Sequence, residues 1–110
     1  METLRVKLRP GDGHCVVALS GEIDIGNLRE VRWHLLSALE AGSSRVLVDV
    51  SELRFIDSNG LAVLVDVLER ARSRGGELAL LSPDERFRRT LAWAELSGTF
   101  PILESHPHDQ

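Results

Sequence analysis

The sequence predicts an α/β fold: a small mixed β-sheet, made of an N-terminal hairpin plus parallel strands, covered mainly on one side by α-helices. Three patterns predict it. Leu4-Arg5-Val6-Lys7-Leu8-Arg9 alternates apolar and charged residues with the period of a half-exposed strand. Val46 to Val50 is a nearly continuous apolar run rich in β-branched residues, as in a strand covered on both faces. Amphipathic runs with helical spacing separate the later apolar runs. Strands joined through helices should lie parallel, with right-handed crossovers.

In chain order, the alternating strand ends at the turn cluster Pro10-Gly11-Asp12-Gly13, and His14 to Leu19 returns as a second strand, closing a hairpin. Ser20 to Asp24 leaves that strand toward a helix expected from about Asn27 to Gly42. Leu28, Val31, Leu35, Ala38 and Leu39 share its buried face, and Gly42 suits the left-handed position that ends a helix. After the strand Val46 to Val50, a second helix is expected to start at or just after Ser58. Leu61, Leu64, Val65, Leu68 and Ala71 form its buried face, Val67 lies at the edge, and Gly75-Gly76 stops it. Glu77 to Leu81 is the next strand. Ser82-Pro83-Asp84 opens a third helix, with Pro83 in its first turn and Phe87, Leu91 and Ala94 as apolar contacts, Trp93 being a further candidate. Phe100 to Leu103 is expected as a short edge strand, where proline is tolerated.

The 110 residues fit one domain, 1–110, with a core over about 4–103 and a polar tail, 104–110, expected to fray. A net charge of −4 argues against nucleic acid, whose binders carry a basic footprint. The arginine clusters at 70, 72, 74 and at 86, 88, 89 fall on polar helix sides and read as solvated faces. No apolar run approaches the ~20 residues of a membrane span, so membrane insertion is not expected. Met1-Glu2-Thr3-Leu4-Arg5 has no signal-peptide character, which makes the cytoplasm the default compartment. Cys15, the only cysteine, sits in an apolar run and reads as a small core hydrophobe.

Catalysis is not expected. Ser58 lacks the preceding glycine of a nucleophile elbow, and none of His14, His34, His106 and His108 has a claim on it. His106-x-His108 offers no third metal ligand, and Gly11-x-Gly13 lacks the remainder of a dinucleotide loop. No cofactor and no metal are expected.

The stretch with functional content is Phe55-Ile56-Asp57-Ser58-Asn59-Gly60-Leu61, expected as a loop between the third strand and the second helix. It delivers a hydroxyl to a helix start, where unpaired N–H groups and the positive end of the macrodipole gather. Ser58 is expected to cap that start through its oxygen. A phosphate on the same oxygen would sit where a helix welcomes an anion. Ala62 and Val63 point away from the main apolar face and flank Ser58 as a small apolar patch suited to docking. Asp24 stands near the loop if the second and third strands are neighbours. It either orients the loop or a partner, or bonds its own turn. Asp57 carries the same pair of readings, and Gly60 permits a close approach of backbone or partner. Trp33 falls off the buried stripe of the first helix, as a docking anchor or a core-edge residue.

Gly21-Glu22-Ile23-Asp24, Val48-Asp49-Val50-Ser51 before Asp57-Ser58-Asn59-Gly60-Leu61, and Gly75-Gly76-Glu77-Leu78-Ala79-Leu80 together resemble a STAS domain of the anti-sigma factor antagonist type, over about Leu4 to Leu103. The resemblance implies a STAS-like single domain and a bacterial partner switch. In such a switch the unphosphorylated antagonist binds a serine-kinase anti-sigma factor and so releases a sigma factor. Phosphorylation of a serine, here Ser58, ends the complex, and a serine phosphatase resets it. The partner-binding positions it implies are Asp24, Asp57, Ser58, Asn59, Gly60, Ala62 and Val63. Asn59 stands where the family often has a second hydroxyl residue, which narrows the phosphosite to Ser58. The short, proline-containing end of the chain offers no counterpart of the family's terminal helix. The alternative within the same fold is an accessory subunit that holds the ATPase of a lipid transporter.

Overall fold

The structure, a computed structural model, describes residues 3–42 and 44–104. The elements are β1 (Arg5–Pro10), β2 (His14–Ile23), α1 (Leu28–Glu40), β3 (Arg45–Ile56), α2 (Ser58–Ser73), β4 (Glu77–Leu81), α3 (Glu85–Trp93) and β5 (Ile102–Leu103). They build a 5-stranded sheet in the order β1-β2-β3-β4-β5. β1 and β2 pair antiparallel through the expected turn, with Pro10 opposite Cys15, and every later pair is parallel.

Strand alternation divides the core. Val17 and Leu19 of β2, Val46, Val48 and Val50 of β3, and Leu78 and Leu80 of β4 meet Val31 and Leu35 of α1, Leu64 and Leu68 of α2, and Phe87 and Leu91 of α3 in the main cluster. The opposite face holds a small cluster of Val16, Leu47, Ala79 and Leu81 with Leu103 packed on it. The helices thus cover one side of the sheet, as the sequence predicts. Cys15 is buried in the main cluster, and burial pushes its thiol pKa up, away from reactivity.

Several boundaries differ from expectation. β2 does not end at Leu19. Gly21 adopts φ +96, and a Cβ there would run into the Thr3 carbonyl oxygen, so glycine alone lets the strand bulge and continue to Ile23. β3 likewise runs on to Ile56, and the expected seven-residue loop shrinks to Asp57 alone between strand and helix. Where the extension begins, the buried Asp49 accepts hydrogen bonds from the backbone N–H and hydroxyl of Ser51, at 2.9 and 2.7 Å. On α2, Val67 is fully buried and Val65 only partly, reversing their expected places. Pro83 precedes the N-cap Asp84 of α3 rather than entering its first turn. Trp93 is 88% exposed and Ala94 is an exposed C-cap, so neither supplies the expected core contact. Gly42 and Gly75, at φ +97 and +77, end α1 and α2 as expected.

The arginine clusters lie exposed and largely ion-paired: Arg70 with Asp66, Arg72 with Glu77, Arg74 with Glu40, Arg88 with Glu104 and Arg89 with Glu85. Among the described residues no helix is long and apolar enough to cross a membrane. The tail beyond Glu104, including His106 and His108, lies outside the described residues, as do Met1 and Glu2.

Candidate functional site

The extended β2 and β3 bring the sequence-predicted site residues together. Ile23 pairs with Ile56, so Asp24 and Asp57 follow the ends of neighbouring strands at the same level. The condition attached to Asp24 is therefore met: its turn stands beside the start of α2.

Asp57 is the N-cap of α2. Its backbone is extended, at φ −97 and ψ −179, and its Oδ1 accepts a hydrogen bond from the Gly60 N–H at 2.9 Å. Its carbonyl oxygen accepts from the Leu61 N–H at 3.0 Å. The capping role expected of Ser58 thus belongs to Asp57, because the aspartate occupies the last non-helical position and its carboxylate reaches the third N–H. Ser58 is the first helical residue instead. It is exposed, and its hydroxyl has no hydrogen-bond partner among the described residues. The N–H groups of Ser58 and Asn59 face no earlier turn, which leaves the positive end of α2 open beside that hydroxyl.

The other expected positions divide. Asn59 and Ala62 are exposed beside Ser58, and Val63 is half-buried against the main cluster. Gly60 is buried and does not reach the surface. A Cβ there would lie 2.6 Å from Ile56 Cγ1 and 2.9 Å from Ile23 Cγ2. Glycine is needed so that the first turn of α2 can settle onto the ends of β2 and β3. It sets the height at which Ser58 is displayed.

Asp24 uses one carboxylate oxygen to accept from the Gly26 N–H at 2.9 Å, the turn-forming bond that its second reading foresaw. Asn27 secures the same turn. Its Oδ1 accepts from the Asp24 N–H at 3.1 Å and its Nδ2 donates to the Glu22 carbonyl at 2.9 Å. Asn27 therefore gives α1 no side-chain cap, its amide being committed to the turn.

Sequence reading did not single out Ile25, and it named Phe55 only as the first residue of the stretch around Ser58. Ile25, at the apex of the pinned turn, is 77% exposed, and Phe55, just before Ile56, is 50% exposed. Ile25 lies between β2 and α1, and Phe55 is the penultimate residue of β3. Trp33 is 64% exposed on the outer side of α1, its ring edge-on to His34 at 5.0 Å between centroids. Trp33 is thus no core-edge residue.

Comparisons with known proteins identify the family and the fold. A family model described as STAS domain matches residues 5–108. The anti-sigma-B factor antagonist of Listeria monocytogenes is 30% identical over 103 residues, 93% of this chain and 86% of that protein. The crystal structure of an anti-sigma factor antagonist from Mycobacterium paratuberculosis superposes with a TM-score of 0.83 at 22% identity, covering 94% of this chain and 87% of the other. The anti-sigma factor antagonist SpoIIAA shares the fold in its unphosphorylated form (TM-score 0.72, 16% identity, 94% and 90% covered). The phosphorylated form of Bacillus SpoIIAA does so too (TM-score 0.70, 19% identity, 91% and 92% covered).

Proposed function

Because the chain belongs to the STAS domain family, we propose that it is an anti-sigma factor antagonist whose docking to a serine-kinase anti-sigma factor is switched off by phosphorylation of Ser58. The relative from Listeria monocytogenes carries the name of such an antagonist, and SpoIIAA has been described in both phosphorylation states. The unmodified protein binds the kinase and frees a sigma factor. The phosphorylated protein lets go, and a serine phosphatase restores it. The protein acts by binding, without catalysis of its own, in the bacterial cytoplasm as part of a transcriptional stress response.

The observation that carries this reading is the Ser58 hydroxyl, exposed and unbonded at the open start of α2 while Asp57 does the capping. Such a hydroxyl is reachable by a kinase, and its modification leaves the cap in place. A phosphate adds about −1.5 to −2 charges and three acceptor oxygens. On the free protein the helix start tolerates it. Inside a docked surface it must be desolvated without a partner, and a penalty of about 2.7 kcal/mol already weakens binding a hundredfold.

The test is incubation with ATP and the kinase-type anti-sigma factors of the same genome, followed by mass mapping. One phosphate on Ser58, none on Ser58→Ala, and a complex formed by Ser58→Ala but not by the phosphorylated protein are the expected results. Phosphate elsewhere, or equal binding by both forms, overturns the reading.

A further inference from the structure

We propose that the outer edge of β1 takes up an extended segment of a partner protein, alternating acidic and apolar side chains, as a further strand of the sheet. The inference is separate from the Ser58 switch, because β2 stands between β1 and β3, the strand that leads to Ser58.

The two edges of the sheet differ. β5 is 2 residues long, whereas β1 offers 6, Arg5–Pro10, and pairs with β2 alone. In an antiparallel pair every second residue turns its N–H and C=O away from the neighbouring strand. Along the outer side of β1 these groups form a row able to pair with another chain. Pro10, which has no N–H, closes the row at the hairpin turn.

The side chains of β1 sort by face. Val6 packs on the main cluster beneath the helices, and Leu8 follows it at the strand period. Leu8 is 46% exposed. With Cys15 of β2, Ala38 of α1 and the C-cap Ala41 it lines an open groove of about 420 Å³. Arg5, Lys7 and Arg9 take the other face, because they pair with Ser20, Ala18 and Val16, and Val16 belongs to the helix-free cluster. Arg5 and Lys7 take part in no ion pair among the described residues. The edge thus carries a basic row on one face and an uncovered apolar flank on the other.

Charge decides the occupant. A second copy of this chain, laid antiparallel against β1 with its helices on the same side, would set basic residues opposite basic residues. Like charges directly opposite destabilise a strand pair, and opposite charges stabilise it. The row that rejects a second copy therefore accepts a strand with Glu or Asp at those positions. Asp49 and Glu52 line the inner part of the basic face, and both lie on β3. An added strand would run about 4.8 Å from β1 and about 14 Å from β3. At physiological salt, charges more than about 8 Å away are largely screened, so the nearby row outweighs both those carboxylates and the net charge of −4. The intervening residues of the added strand fall on the side of Leu8 and the groove, which favours Val, Ile or Leu. Backbone pairing supplies affinity, and the alternation of acid and apolar side chains supplies specificity.

The test presents the full chain with short probe peptides: Glu and Val alternating, Lys and Val alternating, and the Glu–Val peptide N-methylated along its backbone. Fluorescence anisotropy reads affinity, amide NMR shifts locate binding, and thermal unfolding confirms that each variant is folded. The Glu–Val peptide is expected to bind and to shift the amides of β1, with the other two peptides at least about tenfold weaker. Lys7→Glu, on the exposed side of the strand, should weaken the Glu–Val peptide about tenfold and strengthen the Lys–Val peptide. Leu8→Ser should weaken the Glu–Val peptide without changing the charge preference. No binding at millimolar peptide, equal affinity for the two charge patterns, or unchanged affinity after N-methylation overturns the proposal. So does a concentration-dependent dimer whose interface maps to β1, which would make a second copy the occupant. No arm alters the start of α2, so each of these outcomes leaves the Ser58 switch to its own test.

Discussion

The starts of α2 and α3 use the same device and serve different ends. Asp57 and Asp84 are both N-caps with extended backbone, at φ −97, ψ −179 and φ −81, ψ 179. Each accepts a hydrogen bond from the third helical N–H, Gly60 at 2.9 Å and Phe87 at 2.8 Å. The difference lies in the first turn beyond the cap. After Asp84 come Glu85, an acid that already occupies the positive end of the helix, and the buried anchor Phe87. After Asp57 come a free hydroxyl at the first position and, at the third, a glycine pressed against Ile23 and Ile56. A well-made cap therefore does not mark a functional site; the switch proposed for Ser58 rests instead on an open first turn, held down by a residue without a side chain.

The largest test of this contrast strikes the two third positions. Phe87→Ala empties a buried site and should cost about 3–5 kcal/mol in urea unfolding. Gly60→Ala errs in the other direction, adding a carbon within 3 Å of two isoleucine side chains, and overpacking of this kind should cost about 1–3 kcal/mol. Relief of Gly60→Ala by Ile56→Ala, seen as a double-mutant coupling, would tie the loss to that contact, since this substitution removes both Ile56 Cγ1 and Cδ1, the atoms of the clash. Full additivity of the two substitutions would break the assignment.

That glycine also explains much of what the sequence conveyed and what it hid. Periodicity located each helix and strand, because those patterns come from residues whose side chains are counted. On α2, however, the buried face includes Gly60 and Val67 beside Leu61, Leu64, Leu68 and Ala71. A reading that starts from Leu61 turns the buried arc toward Val65, since hydropathy gives a glycine no weight. Gly21 misled in the same manner. Ser20-Gly21-Glu22 has the composition of a strand end, yet the positive φ at Gly21 lets the chain bulge and stay in the sheet to Ile23. Without that continuation Asp24 would not stand beside Asp57. Ser58 was legible because chemistry and position coincide in one short segment.

The caps themselves come next in size. Asp57→Ala and Asp84→Ala should each lower stability by about 1 kcal/mol, the usual value of a lost N-cap, and near equality is the expected result of chemical denaturation. The two variants should part in kinase binding. Asp84→Ala leaves the Ser58 surface intact, whereas Asp57→Ala releases the first turn that displays the hydroxyl. Equal binding by both variants would mean that the cap of α2 serves the fold alone.

The smallest effect sharpens the comparison most. At the first helical position, Ser58→Glu adds a carboxylate to the open end of α2, while Glu85→Ser removes one from α3. The dipole contribution of such a charge is about 0.3–1 kcal/mol, so stability should rise slightly in the first variant and fall slightly in the second. In Glu85→Ser a few further tenths go with the loss of the exposed i,i+4 pair with Arg89, 3.7 Å apart. Opposite small shifts in melting temperature would show that the start of α2 accepts negative charge as a helix start should. Loss of kinase binding in Ser58→Glu alone would then place the penalty on the partner's side of the interface. If Ser58→Glu instead lowered the melting temperature by several degrees, the charge would be acting through the fold, and the contrast between an open and an occupied helix start would no longer separate function from stability.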